Sequence, residues 1–165
     1  MSNPKEGSKL KVGFIGLGRM GQGMSKRILD AGNDVVVYDV IPAATKLLGD
    51  VGATIAPTVS DACKGRDVVI TMLAEDYVVK EVILGKGGVR DSLPAGSIHL
   101  AMGTYSIPTI RTIEAEHNKA GPVAVIDTDP QGSLASWWNT REAPTPLFAA
   151  VNITQLGEHL VHLRR

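Results

Sequence analysis

Cysteine is nearly absent from this sequence: Cys63 is the only one. One cysteine cannot form an internal disulfide, which fits a reducing compartment. No histidine lies near Cys63, which reads as a small buried helix residue beside Ala62 and not as a nucleophile. A charge imbalance is missing too, with 17 basic residues against 17 acidic ones. That balance removes the electrostatic case for nucleic acid or an anionic membrane as partner. No stretch approaches the roughly 18 apolar residues of a membrane span. The polar segment from Met1 to Lys9 has no apolar signal core. The expectation is a soluble, cytoplasmic protein. Aromatic residues are scarce at 4%, but a hydrophobic content of 44% is ample for a core. The length of 165 residues fits one domain, or one and a fraction.

What is present begins with an apolar run, Val12-Gly13-Phe14-Ile15. It leads into Gly16-Leu17-Gly18-Arg19-Met20-Gly21, and a helical segment from Gln22 to Leu29 follows. A second apolar run, Val35-Val36-Val37-Tyr38, ends in Asp39. Strand, glycine turn, helix, strand and acid, in that order, form the dinucleotide-binding fingerprint. Gly16 allows the tight turn, Gly18 lets the backbone approach a pyrophosphate, and Gly21 lets the helix pack closely on the strand. The helix N-terminus offers unpaired N–H groups and a positive dipole end to the phosphates. Asp39 lies 18 residues past Gly21, near the roughly 20 typical of the carboxylate that accepts the ribose hydroxyls. A glycine-rich structural turn is the competing reading.

The alternation continues. Helical segments are expected over Pro42–Asp50, Thr58–Lys64, Glu75–Leu84 and Ser106–Ala120. Thr58 or Ser60 is the N-cap of the second, and Pro108 lies in the first turn of the last. Strands are expected at Thr54–Ala56, Asp67–Leu73, Ser97–Met102 and Val123–Ile126. Strands separated by helices imply an α/β fold, a Rossmann-type doubly wound parallel sheet. Ligands then bind at the carboxyl ends of the strands. That rule gathers Gly16–Gly21, Asp39, the Leu73-Ala74 turn and the Met102-Gly103-Thr104 turn around one crevice. Gly85–Gly88 lacks the G-x-x-x-x-G-K-[ST] frame of a phosphate loop and reads as a plain connection. His99 reads as a buried, hydrogen-bonded structural residue.

From about Leu10 to Gly121 the chain resembles the β-hydroxyacid dehydrogenase family, which includes 3-hydroxyisobutyrate and 6-phosphogluconate dehydrogenases. The residues that carry the resemblance are Val12 to Gly21, Val36-Val37-Tyr38-Asp39, and Val69-Ile70-Thr71-Met72-Leu73-Ala74. The resemblance implies a nicotinamide cofactor and hydride transfer between that cofactor and a small hydroxyacid or related carbonyl or imine. It implies cofactor contacts from Gly16, Leu17, Gly18, Arg19, Met20, Gly21, Asp39, Met72, Leu73, Ala74, Gly103 and Thr104. Members that prefer the 2′-phosphorylated cofactor often carry Asn-Arg-Thr where this chain has Asp39-Val40-Ile41. A carboxylate at Asp39 repels a 2′-phosphate, so NAD is expected over NADP. The family's substrate loop, Asp-x-Ser-Thr, is matched by Ala101-Met102-Gly103-Thr104. Gly103 thus replaces the serine that holds the substrate carboxylate, although some divergent members also carry Met-Gly-Thr. The helical domain bearing the family's catalytic lysine has no counterpart here, so weak or absent turnover is expected.

From about Ala120 onward the text differs. Asp127-Thr128-Asp129-Pro130-Gln131-Gly132-Ser133 resembles the D-x-D-P-Q-G-S motif of plasmid-partition ATPases. The chain thus reads as a fusion joined near Ala120-Gly121, with a flexible start over 1–9, a cofactor domain over 10–121 and an irregular α/β tail over 122–165. ATP hydrolysis is not expected, because the K-G-G-x-G-K-T loop of that class is absent. The tail is expected either to complete the main sheet through Val123–Ile126 or to be appended to it, and Leu147–Ile153 to form a strand. Thr154–Arg165 reads as an amphipathic helix with Leu156, Leu160 and Leu163 on one face. His159 and His162 on that helix read as solvated residues and not as a metal pair. An unpartnered apolar face there implies a homo-oligomer. The competing functional readings are a cofactor-binding oxidoreductase domain, a fusion without turnover, and a partition module.

Overall fold

The computed structural model describes residues 9–120, together with the backbone of two short strands at 125–127 and 148–150. Five β-branched or apolar runs form parallel strands: β1 (Lys11–Ile15), β2 (Asp34–Tyr38), β3 (Thr54–Ile55), β4 (Val68–Thr71) and β5 (Ile98–Ala101). Their order across the sheet is β3-β2-β1-β4-β5. The helices between them are α1 (Arg19–Asp30), α2 (Pro42–Gly49), α3 (Val59–Cys63), α4 (Asp76–Leu84), α5 (Val89–Ser92) and α6 (Ile107–Ala120). This is the doubly wound α/β architecture that the alternation implies.

Strand side chains alternate between faces, and both faces are covered. On one side Val12, Phe14, Val35, Val37, Val68, Ile70, Ile98 and Leu100 form a core with Ala44 and Leu48 of α2. On the other, Ile15, Val36 and Val69 pack with Ala62 and Cys63 of α3, Val79 and Ile83 of α4, Val89 of α5 and Ile113 of α6. Burial on two faces is why the strands read as continuous apolar runs and not as alternating ones.

Register positions the site. Ile15 pairs with Tyr38 on one flank and with Thr71 on the other, while Thr71 pairs with Ala101. The ends of β1, β2, β4 and β5 are therefore level. Gly16, Asp39, Met72 and Met102 leave the sheet along one edge. The strand order reverses beside β1, between β2 and β4, which makes that edge the switch point.

Most expected elements hold, with shifts at their ends. Thr58 is the α3 cap, its hydroxyl accepting from Asp61 N at 3.1 Å. Two details differ. A short helix, α5, follows the Gly85–Gly88 loop where none was expected. The strand expected at Val123–Ile126 appears as β6 (Val125–Asp127), hydrogen-bonded in parallel to β7 (Phe148–Ala150) and not to the main sheet. In β7 the chain supplies β6 with its own parallel partner, with Val125 opposite Phe148. Asp129, Trp137, Trp138, His159, His162 and the expected helix at 154–165 lie outside the described residues. Among the described residues no helix is long and apolar enough to cross a membrane.

Candidate cofactor site

Gly16 opens the site with φ of +95°, a conformation that a side chain would strain. Its amide donates to Tyr38 O at 3.0 Å, which ties the turn to the end of β2. A Cβ here would also strike the backbone carbonyl of Met72. Gly21 is constrained differently: its Cβ would land on Gly16 O, so only glycine lets α1 start this close to β1. Gly18 has no such neighbour. A Cβ there meets nothing within 4 Å, and the residue is exposed. The space above Gly18 is open.

Gly18 is also the N-cap of α1 and offers no capping side chain. The amides of Arg19, Met20 and Gly21 have no carbonyl one turn earlier to bond. The first intrahelical bond runs from Gln22 N to Gly18 O at 3.0 Å. Open space over a glycine, uncapped amides and a helix dipole end are what a pyrophosphate requires. The side chain at Leu17 contributes in another way: it is buried in the core.

Asp39 leaves β2 facing this turn. Its Oδ2 accepts from Leu17 N at 2.6 Å and its Oδ1 from Ile41 N at 2.8 Å. The Leu17 amide is thereby committed within the protein. The carboxylate, half-buried, keeps further lone pairs while pinning the glycine turn. Sequence reasoning assigned Asp39 only the ribose role. The bracing role depends on the β1–β2 register, which a sequence does not print.

Beyond the switch point, Met72, Leu73 and Gly103 are half-buried while Ala74 and Thr104 are exposed. All five lie in the two loops that follow β4 and β5; Met72 and Leu73, expected within the β4 strand, fall just past its end at Thr71. Tyr105, which sequence reasoning passed over, donates from Oη to Leu73 O at 2.9 Å. Burial pushes its phenol above the ordinary value. Asp76 was passed over as well. It accepts from Ser106 N at 3.1 Å, and its carboxyl is held below the usual range chiefly by the Ser106 hydroxyl.

His99 is buried on β5, as expected. Its Nε2 lies 3.1 Å from Thr71 Oγ1 and its Nδ1 lies 2.9 Å from Nε2 of His117 on α6. Burial drives His99 down to about 3 and His117 to about 4, so both are neutral at pH 7. Cys63 is fully buried, and burial pushes its thiol up to about 12. It is no nucleophile at neutral pH. Among the described residues no group of three or more His, Cys, Asp or Glu is placed to hold a metal ion.

A parallel doubly wound sheet with an uncapped glycine turn at its switch point and an acid at the end of the next strand defines an NAD(P)-binding domain. The match to known proteins is narrower: the model of the NAD binding domain of 6-phosphogluconate dehydrogenase fits residues 11–132, and the chain belongs to that family. An uncharacterized oxidoreductase of Bacillus subtilis, YfjR, is 38% identical over 112 residues, 68% of this chain and 39% of that protein. Human mitochondrial 3-hydroxyisobutyrate dehydrogenase is 33% identical over 116 residues, 70% of this chain and 34% of the human one. The fold matches a Mycobacterium tuberculosis 3-hydroxyisobutyrate dehydrogenase with a TM-score of 0.67, at 21% identity, over 92% of this chain and 58% of the other. The matched region thus spans less than two fifths of either sequence relative.

Proposed function

We propose that the chain binds NAD(H) in preference to NADP(H), as the cofactor-holding part of an oxidoreductase acting on a small hydroxyacid or a related carbonyl or imine. The observation that carries the preference is the Asp39 carboxylate, braced by two amides at the end of β2. Its fixed negative charge favours ribose hydroxyls and opposes a 2′-phosphate. Val40 and Ile41, the next two residues, are exposed and apolar and offer no cation to offset that repulsion. The amides at the start of α1 hold the pyrophosphate over Gly18. When bound, the nicotinamide supplies a hydride donor or acceptor.

Reduction of a carbonyl also needs a proton donor within hydrogen-bond reach. The two histidines among the described residues, His99 and His117, are bonded to each other and do not serve. We infer that this chain alone holds cofactor with little or no turnover. Titrating the protein with NADH and NADPH tests the reading. Tighter NADH binding is expected, and Asp39→Ala should shrink the gap between the two cofactors. Tighter binding of NADPH by the unaltered chain would overturn the preference.

A further inference from the structure

The loops leaving β4 and β5 are tied to each other at two points. At the first, Tyr105 Oη donates to Leu73 O at 2.9 Å. A Cβ on Gly103 would run into that phenol and would stand 2.5 Å from Leu73 O. The bare backbone at 103 is thus what lets Tyr105 fold back across the loop. At the second, Asp76 at the start of α4 accepts from Ser106 N at 3.1 Å. It also accepts from the Ser106 hydroxyl, and from the Thr109 hydroxyl at 2.9 Å.

A dinucleotide crossing the switch point has its pyrophosphate at Gly18 and its acid-held ribose at Asp39, on the β1–β2 side. Its other half must lie over β4 and β5, where these two ties are. Resting on the cofactor reading above, we propose that Tyr105 and Asp76 are positioning residues for the nicotinamide half of the cofactor. They fix the main chain of Leu73 and Gly103 before the cofactor arrives. The nicotinamide half therefore binds without first ordering two loops, and a preordered site loses less on association. The adenosine half, held at α1 and β2, does not depend on them.

The test is a pair of titrations on the full chain, with NADH and with ADP, which carries the adenosine and both phosphates but no nicotinamide riboside. Tyr105→Phe removes the bond to Leu73 O, and Ser106→Ala removes one hydroxyl from Asp76. Each is expected to weaken NADH about three- to tenfold, the worth of one hydrogen bond, and to leave ADP within about twofold. A purely structural role would weaken both ligands together, and that result overturns the proposal, as does an unchanged NADH affinity. If Tyr105→Phe does not fold, Ser106→Ala carries the same comparison. Binding of neither ligand by the unaltered chain would sink the cofactor reading itself. Binding of both, with no separation in the variants, would sink only the positioning role.

Discussion

At Asp39 one side chain serves two ends, and glycine substitutions nearby separate the kinds of constraint around it. Asp39→Ala leaves the buried Leu17 amide without its 2.6 Å acceptor. A loss of about 1–3 kcal/mol is expected, typical of an orphaned buried donor, and chemical denaturation would register it alongside weaker NADH binding. Gly18→Ala should behave otherwise. Nothing stands within 4 Å of its Cβ, so the melting temperature should stay put while NADH affinity falls. Gly13→Ala is the mirror case. Its Cβ would press on the backbone carbonyl of Ala62, so about 1–3 kcal/mol of stability should go, with no direct contact at the crevice. The glycine turn and the acid were legible because their spacing along the chain is itself the signal. Gly13 and the bracing bonds of Asp39 were not, because their partners arrive through packing from other elements.

At the scale of elements, His99 and His117 join β5 to α6, and Thr71 extends the link to β4. Both imidazoles are depressed from the ordinary 6.5, to about 3 and about 4. Below pH 6.5 the unfolded chain takes up protons that the folded chain refuses. Their contribution to stability is therefore complete above about pH 6.5 and is lost as the pH falls toward 4. The melting temperature should drop between pH 7 and 4.5, and a His117→Gln variant should drop less steeply. An equal slope in the two proteins would remove the pair from the account. The buried role of His99 was legible from its place in an apolar strand. Its partner was not, because the rotation of α6 against β5 is set by Ile113 and its neighbours in the core. The short helix α5 escaped notice for a related reason: four residues, Val89–Ser92, carry too little periodicity to register. The pairing of β6 with β7 likewise rests on a long-range match that neither strand announces by itself.

At the scale of the whole molecule, the sheet order, the level strand ends and the family match over residues 11–132 converge on a dinucleotide crossing the switch point. Residues 128–133 of the partition-like motif lie outside the described residues, and the sequence has no K-G-G-x-G-K-T loop to seat a triphosphate. A ligand that binds only the folded state raises the melting temperature by mass action. The most direct measurement is therefore a thermal melt of the full chain in parallel with NADH, NADPH and ATP. The account predicts a clear upward shift with NADH, a smaller one with NADPH, and with ATP no more than the adenosine half alone supplies. A shift with ATP alone, or no shift with either nicotinamide cofactor, would contradict it.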